Sequence, residues 1–169
     1  GMILRIEPVA LALEEQKNLH RSQGLETHTI LVSPQGKPFT QKKAKELSDN
    51  NSVLTLVCGR YEGFDERIRS LVDEEISGGD FVCMGGEVIS MTIIESVSRL
   101  MPNILGNSES IEHESFSQSL LEYPQYTRPV CYAGMSVPEE LISGNHEKIS
   151  QWRQQQALLR TKKRRPDLI

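Results

Sequence analysis

"SVLTLVCGRYEGFDER", residues 52–67, joins an apolar run to a stretch holding two glycines, two arginines, a tyrosine and three carboxylates. Val53 to Val57 reads as a buried strand, because its apolar and β-branched residues run almost without interruption between polar flanks. The segment after it carries far more chemistry than a simple turn requires. A buried strand that empties into a glycine-punctuated polar loop is the pattern of open α/β sheets, whose ligands collect beyond the carboxyl ends of the strands.

Outward from this stretch the chain alternates. Pro8 to Gln23 is expected to be a helix, with Pro8 near its start and Gly24 after its end. Thr29 to Val32 reads as a short strand, Thr40 to Leu47 as a Lys-rich helix, and Asp65 to Leu71 as a short helix. Asp80 to Met84 is read as a third strand. Glu87 to Met101 is a strongly apolar helix ended by Pro102, expected to be central because nearly every face of it is apolar. This order implies an α/β layer structure with parallel strands. From Asn103 to Gln118 the sequence turns polar and Ser/Glu-rich without period, the mark of a linker. Pro138 to Arg160 is helical again. The expected organisation is an α/β body over 1–102, a flexible linker over 103–118 and a helical domain over 119–169.

A chain of 169 residues suits a single core with a small appendage. Its formal net charge of −4 excludes a uniformly basic nucleic-acid coat and leaves room for a local patch. That patch is Arg160-Thr161-Lys162-Lys163-Arg164-Arg165, which taken alone reads as a solvated helix end. Cys58, Cys83 and Cys131 are odd in number and widely spaced, so neither a disulfide framework nor a zinc site is indicated. The sequence contains no run of eighteen apolar residues and no signal or lipidation motif. The expectation is a soluble cytoplasmic protein with no membrane partner.

Three loops share one signature: Ser33-Pro34-Gln35-Gly36, Gly59-Arg60-Tyr61-Glu62-Gly63, and Gly85-Gly86-Glu87 preceded by Ser77-Gly78-Gly79-Asp80. Glycine lets backbone N–H and C=O groups approach a ligand closely. Each loop alone reads as a tight turn; the three together suggest a pocket lined by backbone. Neither a P-loop nor a dinucleotide fingerprint is present.

The segments "CGRYEGFDERI" (58–68), "DEEISGGDFVCMGGE" (73–87), "SVSR" (96–99), "LLEYPQYTRP" (120–129), "VPEELISGNHEKISQWR" (137–153) and "RTKKRRPDL" (160–168) resemble, in order over nearly the whole chain, the bacterial tRNA (guanine-N1)-methyltransferase family of the SPOUT class. The resemblance implies a parallel α/β sheet with a C-terminal deep trefoil knot, a small helical C-terminal tRNA-binding domain, and a homodimer with a composite active site. It implies S-adenosylmethionine as methyl donor and N1 of guanosine 37 of a tRNA as acceptor. The donor would lie among Leu31, Val32, Ser33, Pro34, Gly59, Tyr61, Glu62, Ser77, Gly78, Gly79, Phe81, Cys83, Gly85 and Gly86. Gly78, Phe81, Cys83 and Met84 stand where the family commonly has Ile, Tyr, Leu and Ser, exchanges that backbone contacts tolerate.

Methylating N1 requires a proton acceptor at N1 and a cation at O6, where negative charge develops. Family matching assigns the base to Glu114, in a position where the family has Asp, and the charge-stabilising role to Arg99. Arg99 also reads as a cation favourable at a helix C-terminus. Glu62, Ser110 and His146 match positions that contact the substrate. Asp65, Glu66 and Arg67 read as a helix start. The resemblance also implies a magnesium ion for activity, though no carboxylate cluster in the sequence displays one.

Read beside the resemblance, the basic residues Arg153, Arg160, Lys162, Lys163, Arg164 and Arg165 suit phosphate contacts. Tyr123, Tyr126 and Trp152 suit either stacking on extruded bases or packing. "GMILRIEP" resembles the end of the family's Gly-rich segment, and the family continues past "RRPDLI". The expectation is a chain lacking the family's first strands and its final helix. Two other readings stay open on sequence: a different knotted RNA methyltransferase acting on ribose 2′-O, and a donor- or RNA-binding fragment without catalysis.

Overall fold

The run Thr29-Ile30-Leu31-Val32 is apolar on both of its faces because it forms the middle of a sheet covered on both sides. In the computed structural model, which describes residues 2–50, 52–104 and 114–169, β1 (Thr27–Pro38) lies between β2 (Val53–Cys58) and β3 (Glu74–Ser77) in the order β2-β1-β3, and both pairings are parallel. Thr27 faces Val53 and the register holds to Val32 opposite Cys58. The chain divides into two compact units, Gly1–Gly106 and Asn107–Ile169.

Side chains alternate across the sheet. On one face Ile30, Val32 and Ile76 pack with Ala44, Leu47, Ile93 and Val97. On the other, Leu31 and Val57 pack with Leu13 and Ile68. The first layer is supplied by α2 (Gln41–Asp49) and α3 (Glu87–Ser98), the second by α1 (Ile6–Ser22) and a 3-10 helix, Glu66–Leu71. Thr40 caps α2 by accepting from the Lys43 N–H at 3.2 Å, and Asp65 caps the 3-10 helix through the Arg67 N–H at 2.9 Å. Gly24, at φ +72°, ends α1 with its N–H donated to the Arg21 carbonyl, as the left-handed stop requires.

Three elements differ from the sequence expectation. The third strand is Glu74–Ser77, not Asp80–Met84, which is irregular and leaves Val82 85% and Met84 90% exposed. The strand was hidden by its acids. Glu74 is paired with Lys43 at 2.7 Å and hydrogen-bonded to His28 at 2.7 Å, and Glu75 is paired with Arg69 at 3.0 Å, so the segment sits in a sheet despite its charge. β1 does not end at Val32. Both Val32 and Lys37 pair with Ile76, and residues 33–36 bulge out between them before the strand resumes to Pro38. Helix α3 is not apolar-covered all round: Ser90, Ile93 and Val97 face the core, while Val88, Met91 and Ile94 are exposed on this chain.

In the second unit the helix read over Pro138 to Arg160 is two helices, α4 (Glu139–Ile142) and α5 (His146–Arg164). Gly144 at φ +71° and Asn145, which caps α5 through the Lys148 N–H at 3.1 Å, separate them. A hairpin that the sequence reading omitted, β4 (Cys131–Tyr132) with β5 (Met135–Ser136), turns through Ala133 and Gly134, both at positive φ. Residues 121–122 are held to α5 by polar contacts: the Leu121 N–H donates to Thr161 Oγ1 at 2.8 Å, and Arg160 donates to the Glu122 carbonyl at 3.3 Å. Among the described residues no helix is long and apolar enough to cross a membrane.

Candidate active site

The ends of the three parallel strands converge on a cleft of about 250 Å³ in the first unit. The β1 bulge forms one wall and the loop after β2 a second. The loop between β3 and α3 forms the third. The last two are zipped together: the Gly86 N–H donates to the Gly59 carbonyl at 3.0 Å, Arg60 and Gly85 form a bridge, and the Arg60 guanidinium is 3.4 Å from Glu87. The β1 bulge presses against β3. A Cβ on Gly36 would lie 2.5 Å from the Ile76 backbone nitrogen, so only glycine fits there. The loop after β3 turns at Gly79, at φ +143°, with the Ser77 hydroxyl accepting from the Gly79 N–H at 3.1 Å.

Twelve of the fourteen residues that the resemblance assigned to the methyl donor line this cleft. Val32, Ser33 and Pro34 come from the β1 wall, and Gly59, Tyr61 and Glu62 from the loop after β2. Ser77, Gly78, Phe81, Cys83, Gly85 and Gly86 come from the loop after β3. Leu31 and Gly79 do not line it: Leu31 is fully buried in the core beneath, and Gly79 serves the turn. The donor assignment left out Gln35, Arg60, Gly63, Phe64, Val82, Met84 and Ile89, which also line the cleft. Gln35 and Phe64 sit inside or next to the singled-out loops, and that adjacency was the available signal.

Behind the cleft lies a charged network. Ser33 donates its hydroxyl to Glu75 and accepts from the Gln35 N–H at 3.0 Å. Arg69 donates to both oxygens of Glu75 and from Nη2 to Gln35 Oε1 at 2.9 Å. It also pairs with Glu66 and lies over the Phe64 ring, 5.0 Å from its centroid. Burial pushes the Glu75 carboxyl up, but the hydrogen bonds from Arg69 and Ser33 outweigh it and hold the group below the usual carboxylate range. At the start of the 3-10 helix, hydrogen bonds from Arg67 lower Asp65 to about 2.

The remaining assigned residues are divided between the units. Arg99 follows α3 at its C-cap, with its N–H donated to the Glu95 carbonyl at 3.2 Å. Glu114 and His146 line a second cleft of about 360 Å³, within the second unit, together with Tyr123 and Arg153. His146 is the first residue of α5. Ser110 lies outside the described residues. Of the aromatics, Tyr126 and Trp152 pack on each other at 6.3 Å, and Tyr123 carries the Arg153 guanidinium at 4.8 Å. Lys162, Lys163 and Arg164 gather in the last turn of α5, where cations suit the helix dipole. Among the described residues no group of three or more His, Cys, Asp or Glu is placed to hold a metal ion.

A family model described as "tRNA (Guanine-1)-methyltransferase TrmD" matches residues 1–169. Proteins named tRNA (guanine-N(1)-)-methyltransferase are similar throughout: one from Syntrophotalea carbinolica is 55% identical over the whole chain and 66% of its own length. One from Mycoplasma mobile is 54% identical over the whole chain and 81% of its own length. One from Staphylococcus epidermidis is 52% identical over the whole chain and 67% of its own length. The chain thus spans about two thirds of the length of two of these three relatives. With a match that runs from its first residue to its last, the chain belongs to the tRNA (Guanine-1)-methyltransferase TrmD family.

Proposed function

We propose that the chain transfers the methyl group of S-adenosylmethionine to N1 of guanosine 37 of tRNA, giving N1-methylguanosine and S-adenosylhomocysteine. The observation that carries this reading is the similarity to enzymes of that name over every residue of the chain. The cleft supports it: Gly59, Gly63, Gly78, Gly85 and Gly86 line it, and a wall so rich in exposed main chain suits a donor held by backbone groups.

The first unit is the donor-binding domain, with the family's knot formed by the loops at its cleft. Residues 103–118 are the linker and 119–169 a tRNA-binding domain. When bound, the donor supplies a sulfonium methyl that is already activated. The chain's own residues do the rest. Ser33, Gly59, Tyr61, Ser77 and Gly86 bind and orient from the cleft walls. Glu62, at the same cleft, faces the guanine. Glu114 takes the N1 proton, and Arg99 offsets the negative charge that develops at O6. The cationic last turn of α5 and Arg153 meet phosphates. A homodimer completes the site, and the exposed Val88, Met91 and Ile94 stripe of α3 supports a partner surface on the first unit. The reading puts the enzyme in the cytoplasm with its tRNA.

The test is transfer from labelled S-adenosylmethionine to unmodified tRNA, with nucleoside analysis of the product, for the parent and for Glu114→Ala. N1-methylguanosine from the parent and its near-loss in the variant support the reading. Methyl found on ribose 2′-O overturns it in favour of a different RNA methyltransferase, and donor binding without any product overturns it in favour of a binding fragment.

A further inference from the structure

Arg69 and Glu75 touch neither cleft surface nor solvent to any great extent, yet they connect two of the three cleft walls. The side chains are 23% and 19% exposed, and neither residue lines the cleft. A charged pair this enclosed costs desolvation, and geometry must repay it. The geometry here is a fork: Nε at 3.0 Å and Nη2 at 3.1 Å engage both oxygens of Glu75, and the same Nη2 reaches Gln35 at 2.9 Å. Glu75 in turn takes the Ser33 hydroxyl. Ser33 and Gln35 are the β1 wall. The other face of the guanidinium lies on Phe64, a residue of the facing wall whose ring also abuts Gly59.

We infer that Arg69, acting through Glu75, is a positioning residue of this cleft: it fixes the spacing between the Ser33–Gln35 wall and the Phe64 wall, and so pre-organises the cleft for the methyl donor. The inference rests on the proposed reading of the cleft as the donor site. Only a planar fork that also stacks can serve Glu75, Gln35 and Phe64 together, and a lysine ammonium supplies neither the bidentate geometry nor the stacked plane. A cleft whose walls are set before binding loses less freedom on binding, so the effect falls on donor affinity.

The test compares the parent, Arg69→Ala and Arg69→Lys by calorimetric titration with S-adenosylmethionine, with circular dichroism as the folding control and KM for tRNA as the second readout. Arg69→Ala is expected to raise the donor Kd roughly tenfold and Arg69→Lys about threefold, with KM for tRNA unchanged. The Lys variant decides if the Ala variant fails to fold. A folded Arg69→Lys with parental donor Kd overturns the inference, as does an equal weakening of donor and tRNA. A parent that binds no donor overturns the reading of the cleft and this inference with it, a result distinct from the variant outcomes.

Discussion

Glu75 of β3 receives hydrogen bonds from Ser33 of β1 and from Arg69 of the 3-10 helix, so one carboxylate ties the middle strand's bulge to the segment that leads into the edge strand. Its neighbour Glu74 binds Lys43 and His28 in the same way on the opposite side of the strand. Two consecutive acids therefore act as cross-links of the sheet, one toward each layer of helices.

These acids give the fold a pH dependence whose sign follows from their shifts. Burial raises both, but the hydrogen bonds that Glu74 accepts from Lys43 and His28, and Glu75 from Arg69 and Ser33, lower them further, and both titrate below the ordinary 4.5. Their contribution is present above that value and is lost as pH falls through the depressed folded values. Burial lowers Lys43, and its bonds to Glu74 and Glu46 more than offset this, so it titrates above 10.5. Its share is present below 10.5 and is lost as pH rises through the folded value. Urea unfolding midpoints measured from about pH 7 down to about pH 3 are expected to fall less steeply in Glu75→Gln than in the parent. Parallel slopes would remove Glu75 from the acid limb.

Glu62→Ala is expected to separate binding from chemistry. Glu62 stands on the cleft wall within the loop after β2, next to Tyr61, which is in the left-handed region at φ 61°. Methyl transfer should fall by about 10² or more while the donor Kd changes less than about threefold. Equal loss of both would make Glu62 a structural residue of the loop.

Gly36→Ala tests the closeness of the β1 bulge to β3. The new methyl would meet the Ile76 nitrogen at 2.5 Å and Glu75 and Ile76 carbonyl carbons at 2.6 Å, all backbone atoms that cannot swing aside. A stability loss of about 1–3 kcal/mol is expected, with weakened donor binding because the displaced bulge carries Ser33 and Pro34. Thermal unfolding and titration of the one variant check both.

Ile93→Ala removes a fully buried side chain where α3 meets the sheet. The cost should be about 2–5 kcal/mol, read from chemical denaturation. Met91→Ala, two residues away on the other face of α3 and exposed on this chain, should leave the unfolding free energy of the isolated chain within about 0.5 kcal/mol.

Local chemistry determined much of this protein from sequence. Val53 to Val57 is a strand because a short, largely apolar and β-branched run between polar flanks favours the extended backbone, and Gly24 and Thr40 stop and start helices by conformational and capping preferences that act within a few residues. The glycine loops at 59–63 and 77–86 marked the cleft for the same reason. The Gly144-Asn145 break in the last helix was equally local and equally readable, and the periodic pattern on either side of it obscured it.

What the sequence did not contain were the partners that arrive from far along the chain. Residues 74–77 form a strand whose carboxylates are met by Lys43, His28 and Arg69, while Val82 and Met84 of the more apolar 80–84 are exposed. The β1 bulge exists because Ile76 pairs twice, with Val32 and with Lys37, and no one-dimensional pattern records a second pairing. The exposed face of α3 was likewise decided by which side the sheet occupied. Propensity and periodicity act over a turn or two; ion pairs, register and burial are properties of surfaces that meet only after the chain has folded.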